Sequence, residues 1–316
     1  MEIHDDIVSA IGDTPMVRLA RLQPAGNLVG KVESLNPGGS IKDRIGIAMI
    51  ERAEAEGLLQ PGSTIVEPTS GNTGVGLAMA ARLKGYKLIC TMADKQSKEK
   101  QDLLRAYGAE VVVCPSDVPP DDPRSYYRVA EQIAADTPGA YRPDQYSNPA
   151  NPEAHYRTTG PEIWRQTEGQ VNVLVVGLGT GGTVSGTARY LKEQNPDVDV
   201  VGVDPQGSIF TAATDDDVHQ YLTEGVGEDF WPATFDRSVV DSYVKVTDSE
   251  AFAMTRRLAE VEGLLVGESC GMAAHAALAV AVDRPDDLVV VILPDTGRNY
   301  LGKVFNDDWM REHGFG

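Results

Sequence analysis

The sequence predicts an α/β fold with parallel sheets, and three observations predict it. Short apolar runs rich in β-branched residues alternate with helix-period patterns along most of the chain. The runs fall into two groups, each large enough for its own sheet, with a polar stretch around residues 145–151 as the crossing. No internal repeat, heptad pattern or low-complexity segment competes with that reading.

In chain order, LNPGGSIKDR at 35–44 is a glycine turn that opens a long helical pattern. TIVE at 64–67 predicts a strand, and the Thr/Ser/Asn turn after it opens a helix over 73–83. KLICTM at 87–92 predicts a strand, followed by a helix over 97–107. EVVVC at 110–114 repeats the pattern, with a helix over 124–135. The second group begins with VLVV at 173–176, then a helix over 183–194 and the strand VVGV at 200–203. Helices over 249–261 and 272–282 precede the closing strand, LVVVIL at 288–293.

Composition narrows the function. The 316 residues are 41% apolar and 24% charged, an ordinary globular balance, and the length suits about two domains. A net charge of −19 opposes nucleic acid and anionic membranes, though a local site can still attract a small anion. No apolar run approaches the roughly 20 residues that span a bilayer. The N-terminal MEIHDDIVSAIGDTP lacks the basic and apolar regions of a signal peptide, so cytoplasm is the expected compartment. Cys90, Cys114 and Cys270 are too few and too scattered for a disulfide frame or a zinc cage. Cys90 and Cys114 end apolar runs and are expected inside strands. The five histidines show no ligand spacing, and no metal site is expected.

In parallel α/β folds ligands lie beyond the carboxyl ends of the strands, in strand-to-helix turns. Four turns near helix starts stand out. In NPGGSIKDR, Gly38 and Gly39 permit a tight turn, Ser40 can cap, and Asp43 suits the first helical turn. Lys42 is a cation at a helix N-terminus, where the dipole disfavours it. It is either a solvated lysine or an amine of lowered pKa that can form a Schiff base with an aldehyde. In EPTSGNTGVG, Thr69, Ser70, Asn72 and Thr73 sit with Gly71 and Gly74 at a helix start. Such a nest of N–H and O–H donors, without a cation of its own, suits a carboxylate; an ordinary capped turn is the alternative.

The third turn, GLGTGGTVSG, matches G-x-G-x-x-G through Gly177, Gly179 and Gly182, with Asp204 a further 22 residues on. Thr180 and Thr183 add hydroxyls that suit a phosphate monoester, while the acidic residue keeps a dinucleotide open. The fourth, LLVGESCGM, brackets Ser269 with Gly267 and Gly271 before a helix, and its Cys270 is expected to be a buried or neutral thiol.

A lysine for an aldehyde, a cup for a phosphate monoester and a separate carboxylate nest together describe pyridoxal 5′-phosphate acting on an amino acid. NPGGSIKDR, EPTSGNTG, GTGGT and PDTGRNY also resemble the cysteine synthase/cystathionine β-synthase family of fold type II pyridoxal-phosphate enzymes. So do IGDTPMVRL, DQYSNPANPEAHY and EGVGEDFWP, and the likeness runs from about Ile11 to Trp309.

The resemblance implies two doubly wound α/β domains with the cofactor in the cleft between them. One is a smaller, mobile domain over 41–146, and the other is a larger domain of 1–40 plus 147–316. It implies that Lys42 holds the cofactor aldehyde, Asn72 its ring hydroxyl, and Gly179, Thr180, Gly181, Gly182 and Thr183 its phosphate. Ser269 would meet the pyridine nitrogen. Thr69, Ser70, Asn72, Thr73 and Gln145 would surround the substrate, and Glu224 would serve the second substrate. The expected reaction is β-replacement on L-serine by L-homocysteine through an aminoacrylate, giving L-cystathionine and water, in a cytoplasmic homodimer. The alternative is an O-acetylserine or O-phosphoserine sulfhydrylase using sulfide; Glu224, where sulfhydrylases often carry glutamine, leans away from it. An NAD-dependent oxidoreductase would leave Lys42 and the 69–74 nest unexplained.

Two positions depart from the family pattern. Glu268 stands where relatives usually carry glycine, and it alters the electrostatics at the pyridine nitrogen only if it faces the ring. Glu228 replaces a tyrosine of the animal relatives.

Overall fold

The computed structural model describes residues 3–69, 71–94, 96, 98–119 and 121–316. Ser70, named above, and residue 97, where a helix is expected to begin, lie outside the described residues. By contact the chain divides into two units: Met1–Ile11 with Asn36–Ala150, and Gly12–Leu35 with Asn151–Gly316. The sequence reading draws its boundaries at 41 and 146 and counts the N-terminal residues with the larger part.

The chain first lays down two strands of the larger unit, β1 (Met16–Arg18) and β2 (Leu28–Val32), paired antiparallel. Neither is expected from the sequence. LVGKV is buried along its whole length although it contains a lysine. Lys31 can be buried because its ammonium is paired: Nζ lies 2.6 Å from Glu162 Oε2 and also donates to the Thr14 carbonyl.

The smaller unit follows. Helix α1 (Lys42–Ala55) leads to β3 (Thr64–Pro68), α2 (Asn72–Lys84), β4 (Lys87–Ala93), α3 (Lys98–Ala106), β5 (Glu110–Cys114) and α4 (Tyr126–Asp136). The three strands form one parallel sheet in the order β3-β4-β5. On the free side of β3, Tyr141 adds a bridge: its N–H donates to Thr64 O and its carbonyl accepts from Val66 N, both at 2.9 Å. Helices α1 and α2 meet backbone to backbone. A Cβ on Gly46 would lie 2.5 Å from the Gly76 carbonyl carbon, and one on Gly76 would lie 2.7 Å from the Lys42 carbonyl oxygen. Only glycine permits that approach, and it locks the starts of two helices that carry candidate site residues.

Past 150 the chain builds α5 (Ala150–Arg157), α6 (Thr159–Gln166), β6 (Val171–Gly177), α7 (Gly182–Gln194), β7 (Asp199–Pro205) and β8 (Ser242–Val246). Helix α8 (Asp248–Arg257) runs into a π-helical turn over Leu258–Glu262, then come α9 (Glu268–Asp283), β9 (Leu288–Leu293) and α10 (Asp307–Glu312). The six strands of this unit lie in the order β1-β2-β9-β6-β7-β8, parallel except for the β1–β2 pair. Strands β6, β7 and β9 are buried almost throughout, which is why they read as continuous apolar runs rather than alternating ones. The core joins Val175, Val203 and Val291 of the sheet to Phe252 of α8 and to Ala273, Ala274 and Ala277 of α9. Alanines let α9 lie close against the strands.

Cys90 and Cys114 lie in β4 and at the end of β5, and all three thiols are buried. Among the described residues, no helix is long and apolar enough to cross a membrane, and no group of His, Cys, Asp and Glu is placed to hold a metal ion.

Candidate active site

In the smaller unit, Lys42 is the first residue of α1 and is half-buried. The turn before it is tied down at both ends. Gly39 has φ +83° and donates its N–H to Asn36 O at 2.8 Å. Ser40 Oγ accepts the Lys42 N–H at 3.1 Å, and the buried Asp43 reaches back so that Oδ2 accepts the Gly38 N–H at 2.6 Å. The lysine is thus delivered by a rigid loop, not by a frayed helix end.

Thr69 and residues 71–74 lie at the junction of β3 and α2. Gly71, at φ +134°, turns the chain. Thr69 Oγ1 accepts the N–H groups of Gly71 (3.1 Å) and Gly74 (3.2 Å), so this hydroxyl organises the turn from within. Thr73 Oγ1 donates to Gln145 Oε1 at 2.7 Å. That bond turns the Gln145 amide nitrogen away from Thr73. Thr69, Thr73 and Gln145 are buried together, and Asn72 begins α2 half-buried beside them. The buried stem of Lys100 lies 3.0 Å from the position of a Cβ on Gly71, a neighbour that the spacing of the chain does not reveal.

In the larger unit, β6 ends at Gly177 and α7 opens at Gly182 after Gly181, whose φ is +77°. A Cβ on Gly181 would fall 2.3 Å from Phe235 Cβ, and one on Gly182 would fall 1.9 Å from Asn151 Oδ1. Both hydroxyls of the turn have a partner behind them. Asn151 Nδ2 donates to Thr180 Oγ1 at 3.0 Å. Thr183 Oγ1 lies 3.2 Å from His155 Nε2, and His155 Nδ1 lies 2.9 Å from Thr159 Oγ1. With its proton on Nε2, His155 donates to Thr183 and accepts from Thr159, which leaves the Thr183 proton to point at an anion. Thr234 Oγ1 donates to the Thr180 carbonyl at 2.6 Å and braces the loop. The first turn of α7 carries no acidic side chain.

Asp204, the acidic residue of the glycine fingerprint, is occupied elsewhere. Its Oδ2 accepts the N–H and the hydroxyl of Thr211 at 2.9 and 2.7 Å, and burial raises the carboxyl above its ordinary range. It staples the turn after β7 and is fully buried, so a ribose has no access to it.

At the start of α9, Ser269 is buried, and its Oγ lies 3.9 Å from the position of a Cβ on Gly225. Glu268 is buried as well, and its Oε2 accepts the Glu224 N–H at 3.0 Å. Glu224 in turn forms an ion pair with Lys303. Cys270 points its thiol at the Asp295 carbonyl (3.4 Å), and burial, then Asp295, push that thiol up out of the reactive range. Tyr300 donates to Asp295 Oδ2 at 2.6 Å. Further along, the Glu228 N–H donates to Ser208 Oγ, and burial, then the charge of Glu228, raise the half-buried Tyr221 phenol above its ordinary range. Phe230 and Trp231 are 37% and 38% exposed; Trp231 lies parallel to Phe235, and the Arg237 guanidinium lies over the Trp231 ring.

Each unit therefore gathers its own set: Lys42, Thr69, Asn72, Thr73 and Gln145 in one, and Gly179–Thr183, Ser269 and Glu224 in the other. The supports behind them, Glu67, Asn151, His155 and Thr234, carry no role in the sequence reading, and Glu268 enters it only as a departure from the family pattern. Asn151 and His155 stand four apart on α5, a spacing that puts both on one face.

The model of the pyridoxal-phosphate dependent enzyme family matches residues 7–295. The chain is 46% identical to cystathionine beta-synthase of Apis mellifera, covering 99% of this chain and 64% of that protein. It is 48% identical to cystathionine beta-synthase of Oryctolagus cuniculus, covering 99% and 58%. The chain thus spans about three-fifths of the length of these relatives. Among solved structures, it is similar to O-ureido-L-serine synthase, with TM-score 0.90, 38% identity, and 98% and 99% of the two chains covered. It is also similar to a hydrogen sulfide-producing enzyme from Fusobacterium nucleatum, with TM-score 0.89, 36% identity, and 95% and 98% covered.

Proposed function

The chain belongs to the family of pyridoxal-phosphate dependent enzymes, and from that membership we propose that it condenses L-serine with L-homocysteine to give L-cystathionine and water. The relatives named cystathionine beta-synthase support the choice of reaction. The observation that carries it is the pair of unlike anion sites. One is a carboxylate nest at Thr69, Thr73 and Gln145. The other is a cup at the start of α7 whose two hydroxyls each have a polar partner behind them. A phosphate monoester fits that cup on the chemistry of its donors: backbone N–H groups at a helix N-terminus and two threonine protons.

Lys42 and Asn72, with Gly179, Thr180, Gly181, Gly182, Thr183 and Ser269, would hold the cofactor. Bound there, pyridoxal 5′-phosphate supplies an electron sink conjugated to the substrate Cα. Thr69, Thr73 and Gln145 orient L-serine by its carboxylate. The Lys42 amine takes the proton from Cα and returns a proton to the departing hydroxyl, because hydroxide leaves poorly without one. The thiol of L-homocysteine then gives its proton to the freed Lys42 amine, its sulfur forms the new C–S bond at Cβ, and Lys42 returns that proton to Cα. A serine hydroxyl at the pyridine nitrogen is a weaker proton source than a carboxylate, so Ser269 favours β-elimination over transamination. Glu224, which shares its carboxylate with Lys303, would meet the α-ammonium of L-homocysteine.

The reading includes a homodimer, cytoplasmic residence, and a mobile part over 41–146 that moves against 1–40 plus 147–316 when the amino acid binds. Light scattering tests the dimer. The reaction is tested by product assays with L-serine or O-acetylserine, each paired with L-homocysteine or sulfide. L-Serine with L-homocysteine is expected to give the highest kcat/KM. A tenfold advantage for O-acetylserine with sulfide, about 1.4 kcal/mol in the transition state, would replace this reading with a sulfhydrylase.

A further inference from the structure

We propose that Glu67 is a positioning residue for substrate carboxylate recognition: it holds the main chain of Gln145, and through it the amide that orders Thr73. The proposal rests on the amino-acid site proposed above. Glu67 lies in β3 with 1% of its surface exposed. Its Oε2 accepts the Asp144 N–H at 3.0 Å and its Oε1 accepts the Gln145 N–H at 3.2 Å. Asp144 has φ +50°, a left-handed conformation, and the two successive N–H groups converge on one side chain. Gln145 then accepts from Thr73 at 2.7 Å. One buried carboxyl thereby couples β3, the 144–145 turn and the start of α2, and it touches none of the reacting atoms.

A carboxyl suits this task and an amide does not. Both oxygens keep a lone pair for an N–H, in the neutral acid as in the carboxylate, whereas glutamine would place an NH₂ against one of the two N–H groups. The carboxyl is also titratable in a useful range. Burial raises it to about 8, against the two N–H bonds and Arg142, which lower it; Asp144 raises it further. Cys90 on β4 and Tyr141 on the same segment both feel its charge. Below that pH the carboxyl is neutral and adds no repulsion near an incoming carboxylate. Above it, a buried negative charge lies one residue's length behind the amide that receives the substrate.

The experiment titrates L-alanine and L-serine into cofactor-loaded wild type, Glu67→Gln and Glu67→Asp, following visible absorbance, and measures kcat and KM for L-serine. L-Alanine carries the carboxylate but no leaving group, so its binding is read whether or not the chain condenses L-serine. For wild type, binding of both amino acids is expected to weaken as pH rises through about 8. For Glu67→Gln, binding should weaken roughly tenfold at neutral pH, with kcat and cofactor content little changed and no further loss through that range. Glu67→Asp should fall between the two. Unchanged L-alanine binding in Glu67→Gln, equal losses in kcat and cofactor content, or a wild-type binding curve flat through that range would each overturn the proposal. Normal L-alanine behaviour with no turnover of L-serine would instead overturn the proposed reaction and leave this inference standing.

Discussion

The main-chain N–H of Glu224 donates to the carboxylate of Glu268 across 3.0 Å. The acidic residue that stands in place of a glycine therefore faces the 224–227 turn and holds it against the start of α9, beside Ser269. Removing that acceptor leaves a polar group with no replacement. Glu268→Ala is expected to lower unfolding stability by about 1–3 kcal/mol, and Glu268→Gln by less, since the amide keeps one acceptor. Urea unfolding checks both.

The contact between Gly46 and Gly76 makes a second expectation. An alanine at either position puts a methyl group within 2.8 Å of backbone on the facing helix, and backbone cannot swing aside. Gly46→Ala or Gly76→Ala should cost about 1–3 kcal/mol and should also displace the start of α1. A fall in cofactor affinity alongside the fall in melting temperature is the expected pair of results.

Lys42→Ala should reduce turnover by at least ~10²-fold, the lower range for losing a positioned acid–base group, and should remove the visible absorbance of the bound cofactor. The fold should survive, because the turn before α1 is fixed by Ser40 and Asp43 rather than by the lysine. Circular dichroism and single-turnover assays separate the two effects.

His155→Ala removes the group behind the Thr183 hydroxyl. Affinity for pyridoxal 5′-phosphate is expected to fall about tenfold, the worth of one hydrogen bond of roughly 1.4 kcal/mol, with turnover recovered at saturating cofactor. Equilibrium dialysis measures the affinity, and the ³¹P resonance of the bound phosphate should shift with it.

Glu67 also predicts how stability depends on pH. Its carboxyl is raised from 4.5 to about 8 in the folded chain, so between those values the native state holds a proton that the unfolded chain releases. Its contribution is fully present below 4.5 and is lost as pH climbs through about 8. Urea midpoints of wild type should fall across that window, and Glu67→Gln should flatten this part of the curve.

What was legible in the chain was local. LVVVIL marks β9 to the residue, because a strand buried on both faces has no polar side to blur its ends; EVVVC marks β5 as well, although that edge strand is partly exposed, through its unbroken run of β-branched residues. The glycine turns at 38–39, 71–74 and 177–182 likewise mark the helix starts where the candidate groups sit. β2 was hidden because LVGKV carries a lysine whose partner, Glu162, lies 131 residues away. β8, SYVKV, was hidden because Ser242 and Lys245, open to solvent at the sheet edge, break its apolar run. The supports of the site escaped for the same reason. Glu67 answers to Gln145, and Asn151 to Thr180; such pairs are made by topology, and neither Glu67 nor Asn151 carries a local signature.

The pairing of β2 with β9 joins Leu28 to Val289. During synthesis the first of these strands leaves the ribosome tens of seconds before the second, at ordinary rates of elongation. The smaller sheet, by contrast, takes all its strands from the contiguous segment Asn36–Ala150 and is complete while most of the larger one is still unmade. Until β9 is made LVGKV is an apolar edge without its parallel neighbour, and until Glu162 is made its lysine also lacks a counter-charge. The nascent chain is then at its most vulnerable to aggregation, and the stretch that a holdase would have to shield is a strand that ends up buried along its whole length.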